Sequence, residues 1–206
     1  MEPKPFDQRI KEADSVILGL INERRIITKL LESEKTKFTN FYRKQANLSV
    51  IAADLIYEIS TENAPKEFHK LNQDYEGFLW VINPSYYSMF YAAQALLAYK
   101  GIRILSSQSV HKITAHALVY FCVKNNFLAK ELYEQFVQSQ QEAAELLNLD
   151  DFKGKAEELA NKYFYEAEKR SRFTYETEEE AKQRHAHTSL QRAKEFLKEV
   201  ETIILG

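Results

Sequence analysis

Residues 85–99 read Ser-Tyr-Tyr-Ser-Met-Phe-Tyr-Ala-Ala-Gln-Ala-Leu-Leu-Ala-Tyr, and this stretch decides the fold class. It contains no glycine, no proline and no charged side chain, and it is apolar on most faces of a helix. A helix with apolar residues all round lies inside a protein, covered by other elements. We therefore predict that this stretch forms the central helix of the molecule.

Helix-ending residues stand on both sides of this stretch. Asn83 is suited to the N-cap and Pro84 to the first helical position, which predicts a start there. A turn of helix over residues 77–82, with Pro84 as a kink, is the alternative start. Gly101, with Lys100 in the last turn, predicts the end.

The scarcity of turn residues extends this interpretation to the whole chain. The 206 residues include only five glycines and four prolines, whereas a β-sandwich or barrel needs turn residues every 8–12 positions or so. We predict an all-α fold, an antiparallel helical bundle of five or six main helices with an added N-terminal helix. A single cysteine, Cys122, excludes an internal disulfide and a cysteine-based zinc site.

Apolar spacing predicts two helices before the central one. The first covers residues 7–33, and Arg24 interrupts its seam, which comprises Ile10, Ala13, Ile17, Leu20, Ile27 and Leu31. The second runs from Thr36 to Ser60 with one apolar stripe, made of Phe38, Phe41, Leu48, Ala52, Leu55, Ile56 and Ile59. A connection over 61–76 follows. We assign residues 1–35 to an N-terminal helical extension and residues 36–206 to the bundle.

Further helices are predicted after the central one. Their approximate ranges are 109–126, 129–148 and 156–167. A last helix opens with a capping box, Thr177 at the N-cap and Glu180 at N3, and ends near Leu205.

The motifs of common enzymes are missing from the sequence. It has neither a glycine-rich phosphate loop nor a G-x-S-x-G elbow, which disfavours an ordinary nucleotide triphosphatase, dehydrogenase or hydrolase. His185 and His187 are two apart and His111 and His116 five apart, so neither pair shares a helix face. We predict no metal site and no cofactor, and interpret the histidines as solvated or hydrogen-bonded, with a catalytic or switching role as the alternative.

A basic segment with a tyrosine, Lys169-Arg170-Ser-Arg172-Phe-Thr-Tyr175, is the one candidate for binding chemistry. A guanidinium can hold a phosphate through two hydrogen bonds, and a tyrosine can stack on a base. The alternative is a cationic helix C-terminus, which the helix dipole favours by itself. The net charge of −2 offers no general attraction to nucleic acid, so RNA binding requires such a local site.

Two segments together resemble the HEPN family, the higher eukaryote and prokaryote nucleotide-binding helical domain. The first is the 85–102 stretch, with its Tyr-Tyr, Phe, small residues, Ala-Leu-Leu and Lys-Gly. The second is Arg170-x-x-x-x-Tyr175, followed by an acidic cap and a long helix with Ala193 and Phe196. The resemblance covers roughly residues 40–205.

The resemblance implies a homodimeric helical bundle with a polar cleft between the protomers. It implies nucleotide or RNA binding, and for some members metal-independent ribonuclease activity or pairing with a nucleotidyltransferase in a toxin–antitoxin system. The family's nucleases use an arginine followed, after four to six residues, by a histidine. No arginine here has such a histidine, and Tyr175 stands in its place after Arg170. A phenol is a poor base at neutral pH.

We therefore expect a HEPN-like nucleotide- or RNA-binding and interaction module. Arg170 and Arg172 would hold phosphate, and Tyr86, Tyr87 and Tyr175 would line the cleft. The alternatives are a ribonuclease in which His111 or Tyr175 replaces the base, with Arg170 stabilising charge, and an antitoxin-like protein partner, which the interrupted N-terminal seam favours. We expect a cytoplasmic location, since no signal peptide or membrane span is visible.

Overall fold

The computed structural model describes residues 5–105, 109–147 and 175–206, and within them the fold is an all-α bundle, as predicted. The α-helices of this part of the chain are α1 (Phe6–Asn22), α2 (Glu32–Thr61), α3 (Asn63–Phe68), α4 (Phe78–Tyr99), α5 (Val110–Ala117), α6 (Lys130–Leu147) and α7 (Tyr175–Leu205). A π-helical segment, Leu118–Val123, continues α5. Two strands, β1 (Ile26–Ile27) and β2 (Arg103–Ile104), pair antiparallel.

The central position of α4 is the main feature of the bundle. Helices α2, α5, α6 and α7 all pack against it. Met89, Ala92 and Leu96 have no exposed surface, and buried side chains occur on every side of the helix. This arrangement follows from the apolar composition of residues 85–99.

The observed ends of α4 can be compared with the two predicted starts and the predicted stop. The helix begins at Phe78, so Pro84 lies inside it and the start at Asn83 is wrong. The earlier turn is held by α2, because Ser60 accepts a hydrogen bond of 2.9 Å from the Gly77 backbone N–H. The helix ends at Tyr99, and Gly101 has a φ of 81°, so the predicted stop is correct.

Polar contacts fix the directions of the long helices. Arg43 of α2 pairs with Glu201 of α7, and Asp54 pairs with Lys194 at 2.6 Å, so α2 and α7 run antiparallel. The contact between Ser60 and Gly77 shows that α2 and α4 are also antiparallel. Helices α4 and α7 consequently run in the same direction on one side of α2.

The N-terminal helix is shorter than its predicted range of 7–33. It ends at Asn22, Arg24 adopts a left-handed φ of 57°, and Ile26 and Ile27 form β1. Pairing with β2 buries Ile26, which local spacing could not reveal. Leu31, predicted in the seam, is exposed.

The N-terminal helix belongs to the main core. Ala13, Ile17 and Leu20 are buried in the same cluster as the residues of α4. The helix contacts α5 and the π-helical segment.

Other boundaries differ by a few residues from the sequence-based ranges. Helix α2 starts at Glu32 instead of Thr36, and α3 lies within the predicted connection over 61–76. Helix α7 begins at Tyr175, so Thr177 lies within the helix and not at its N-cap. The predicted helix over 156–167 lies outside the described residues.

The apolar stripe predicted on α2 is not its buried face. Phe41, Leu48 and Leu55 are each about half exposed, at 52%, 50% and 51%. The fully buried positions are small residues seven apart, namely Thr39, Ala46, Ala53 and Ser60. Small side chains allow α2 to approach α4 closely, which leaves the larger apolar side chains outside.

Within the described residues, no helix combines the length and the apolar character that crossing a bilayer requires.

The packing predicts a large effect of Phe136→Ala. Phe136 of α6 has no exposed surface and lies between the rings of Tyr86 and Phe196, at centroid distances of 6.3 and 5.7 Å. We expect the free energy of unfolding to fall by about 3–5 kcal/mol in urea titrations. Phe68→Ala is the matched control, because Phe68 is 81% exposed and its loss should cost less than about 0.5 kcal/mol. Equal losses in the two variants would contradict the assigned core.

Candidate functional site

Three aromatic rings of α4 surround the imidazole of His111, which lies on α5. They belong to Tyr86, Tyr87 and Phe90, and we call these three residues together with His111 the His111 cage. The ring centroid of His111 lies 4.4 Å from that of Phe90, 5.6 Å from that of Tyr86 and 5.8 Å from that of Tyr87. The fold thus brings together three of the predicted site residues, because His111 follows Tyr86 and Tyr87 by 25 and 24 positions in the sequence.

A hydrogen bond orients the imidazole within the cage. The Tyr86 hydroxyl oxygen lies 2.7 Å from Nδ1 of His111. The phenol donates when Nδ1 carries no proton, and its oxygen accepts when Nδ1 is protonated, either in the neutral Nδ1–H tautomer or in the imidazolium. Because Nδ1 is engaged by Tyr86, proton exchange with a ligand would go through Nε2.

A second polar contact clamps α5 onto α4. The Gln94 side-chain amide donates to the hydroxyl of Thr114 at 2.7 Å, and that hydroxyl donates to the carbonyl of Val110, also at 2.7 Å. Gln94 and Thr114 are buried. The first turn of α5, which carries His111, is therefore fixed on both sides.

Tyr86 is less accessible than its predicted position in the lining of a cleft requires. Only 1% of its surface is exposed, so its ring offers no face to a ligand. It can act on a ligand only through His111. Tyr87 and His111 are half-buried and form the accessible side of the cage.

A ribbon of tyrosines extends from the cage toward α2. The ring of Tyr87 lies 5.9 Å from that of Tyr91, and Tyr91 stacks on Tyr42 with 6.4 Å between centroids. Burial raises the pKa of Tyr42 and of Tyr87, and neighbouring Tyr91 raises both further, although Arg103 opposes the shift at Tyr42. These two phenols therefore keep their protons at neutral pH and serve as hydrogen-bond donors or stacking surfaces, not as bases.

A groove between α2 and α4 runs beside this ribbon. Its volume is about 410 Å³, and its lining includes Leu48 and Ala52 from α2 and Asn83, Pro84 and Tyr87 from α4. Among the residues described, Asn83 has a buried side-chain oxygen without a hydrogen-bond partner. The lining of the groove therefore combines this acceptor oxygen with the aromatic ring of Tyr87.

A second groove, between α6 and α7, is basic and was not predicted. Its volume is about 370 Å³, and Arg184, His185 and Arg192 line it together with Glu142. Arg192 donates to the Glu142 carboxylate at 2.9 Å. Arg184 and Arg192 are eight residues apart, which places them on one helix face. This spacing is the signal from which the sequence could have indicated the groove.

The remaining predicted site residues are not described to the same extent. Arg170 and Arg172 lie outside the described residues. Tyr175 is the first residue of α7, and only its backbone is described. Within the described ranges, no three histidine, cysteine, aspartate or glutamate side chains are grouped as metal ligands would be.

Comparisons with protein-family models, curated proteins and solved structures gave no match. Functional inference for this chain therefore starts from its own residues and geometry.

The geometry of the cage predicts a specific effect of Tyr86→Phe. Loss of the hydroxyl removes the partner of Nδ1, and we expect the imidazole ¹⁵N signals of His111 to shift in NMR spectra. The unfolding free energy should fall by about 1 kcal/mol. Tyr87→Phe is the matched control, because it keeps a ring beside His111 and leaves the Tyr86 hydrogen bond in place. Unchanged His111 signals in Tyr86→Phe would contradict the assigned hydrogen bond.

Proposed function

We propose that this protein is a HEPN-like nucleotide- or RNA-binding and interaction module that acts as a homodimer. The His111 cage would be the part of its site that contacts bases, and Arg170 with Arg172 would hold phosphate. Tyr175 would line the same cleft. The resemblance of residues 85–102 to the family and the composition of the cage both support this proposal.

The observation that carries the proposal is the half-buried pair of Tyr87 and His111. Both rings are oriented by buried neighbours, since Tyr86 hydrogen-bonds His111 and Phe90 packs against both rings. A rigid aromatic surface that is partly open suits an unpaired base, because stacking tolerates any base identity. The adjacent tyrosine ribbon would extend the surface beyond one base.

Local positive charge supports the same function. The overall charge is −2, so phosphate must meet a concentrated basic site. The α6–α7 groove holds two arginines, Arg184 and Arg192, against one carboxylate, Glu142, which pairs with Arg192. In this proposal they and Arg170 would contact the backbone, while the cage contacts bases.

A metal-independent ribonuclease is the second candidate. The hydrogen bond between Tyr86 and His111 favours it, because a general base must be held in one orientation. With Nδ1–H donating to the Tyr86 oxygen, the unprotonated Nε2 of His111 would take the proton of a ribose 2′-hydroxyl. The 2′-oxygen would attack the adjacent phosphorus as the bond to the 5′-oxygen breaks, the leaving oxygen would take a proton from water, and Arg170 would stabilise the charge on the phosphate. Tyr175, the other candidate base, is disfavoured by the ordinary pKa of a phenol.

The antitoxin-like alternative was favoured by the interrupted apolar seam of the N-terminal helix, and this support is now missing. The seam of α1 contributes Ala13, Ile17 and Leu20 to the core of its own chain. Its apolar face is thus not open to a nucleotidyltransferase or another toxin. A toxin–antitoxin setting rests on the family resemblance alone.

Equilibrium binding tests the proposal. We expect Tyr87→Ala, His111→Ala and Arg170→Ala to weaken binding of a fluorescein-labelled single-stranded 12-nucleotide RNA, measured by anisotropy at fixed salt. Loss of one stacked base should reduce affinity about 5- to 150-fold. Tyr99→Ala is the matched control on the far end of α4. Equal affinity of all variants and wild type would remove the cage and Arg170 from the site.

The same RNA distinguishes the two candidates. On a denaturing gel run after incubation with EDTA, intact RNA supports the binding module. Cleavage that disappears in His111→Ala supports the ribonuclease and contradicts a purely binding role.

A further inference from the structure

Helix α2 presents an exposed face with a regular pattern. Its positions are, in order, Lys37, Phe41, Lys44, Leu48, Ile51, Leu55 and Glu58, and the C-cap residue Glu62 continues the spacing. We call this set the α2 seam. The four apolar members are each between 50% and 54% exposed. Together the eight positions extend over about 38 Å of helix.

The spacing of the α2 seam is that of a coiled coil. Successive members are alternately four and three residues apart, which is the spacing of the a and d positions of a heptad. The opposite face of α2, with small residues seven apart, already packs inside the bundle. A helix with two such faces is suited to contact a bundle on one side and another helix on the other.

The charges of the α2 seam are divided between its two ends. Lys37 and Lys44 stand in the N-terminal half, and Glu58 and Glu62 stand in the C-terminal half. Two parallel copies would place lysine against lysine and glutamate against glutamate. Two antiparallel copies would place each lysine end against a glutamate end.

We propose that the α2 seam is the surface through which two copies of this chain associate, with their α2 helices antiparallel. In this register Leu48 packs against Ile51 of the partner subunit, and Lys37 faces Glu62 of the partner subunit. The twofold axis passes midway between Leu48 and Ile51. The surface is complementary to itself, as a twofold interface requires.

Two layers of this pair combine a charged and an apolar side chain. Lys44 lies opposite Leu55 of the partner subunit, and Phe41 lies opposite Glu58 of the partner subunit. Because these layers are adjacent, Lys44 is one layer from Glu58 of the partner subunit. Charged residues at core positions lower the stability of a coiled coil and disfavour alignments that bring like charges together.

The interface would also shape the groove beside it. Leu48 belongs both to the α2 seam and to the lining of the α2–α4 groove. The α2 helix of the second copy would therefore run along the rim of that groove and convert it into a cleft between subunits. The interface rests on the homodimer of the proposed function and identifies the surface that forms it. It requires no ligand, so it stands if RNA binding fails.

Light scattering of the full chain tests the proposal. At 50 µM we expect a mass of about 48 kDa, twice the chain mass of 24.1 kDa. Leu48→Glu combined with Ile51→Glu should give about 24 kDa. Leu18→Glu is the matched control, because Leu18 on α1 is also 50% exposed and should leave the dimer intact. A monomeric wild type, or a dimer that persists in the double variant, would overturn the proposal.

Charge reversal tests the antiparallel direction without touching the apolar residues. Lys37→Glu with Lys44→Glu should weaken self-association at least about tenfold, and so should Glu58→Lys with Glu62→Lys, because each places like charges opposite each other. Mixing the two variants should restore association. No weakening in either variant would overturn the antiparallel pairing. RNA binding is measured separately by anisotropy with the labelled RNA. A loss of self-association can then be distinguished from a failure of the proposed RNA binding.

Discussion

The burial of α4 is the constraint on which the rest of the structure depends. A helix without a polar face must be covered on all sides, and α2, α5, α6 and α7 provide that cover. The small residues of α2 allow it to pack closely along α4. The aromatic residues Tyr86, Tyr87 and Phe90 of α4 meet α5, and this contact forms the His111 cage.

The same constraint explains which parts of the fold were predictable from sequence. Composition alone gives the position of α4, and the stop at Gly101 follows from its left-handed backbone. The length of α1 was not predictable, because Ile26 and Ile27 leave the helix to pair with residues 78 and 76 positions away in the chain. Spacing also could not tell which face of α2 is buried, since an apolar stripe has the same period whether it meets the core or another molecule.

The candidate site was predictable only in part. Tyr86, Tyr87 and His111 were identified by type and motif, but their meeting depends on how α5 packs on α4, which no local pattern shows. Tyr86, predicted to line a cleft, is buried, and its hydroxyl hydrogen-bonds His111. Arg184 and Arg192 were missed because a basic residue on an amphipathic helix usually marks a solvated face. They line a groove because α6 lies opposite this face of α7.

Hydrogen exchange of the backbone amides tests the central role of α4 most directly. If α4 is the element around which the bundle closes, the amides of residues 86–98 should be the slowest to exchange. Their protection should correspond to the free energy of global unfolding from urea titration. Faster exchange in this segment than in α1 or in the outer turns of α2 would contradict the account, because it would mean that α4 opens while the helices around it remain folded.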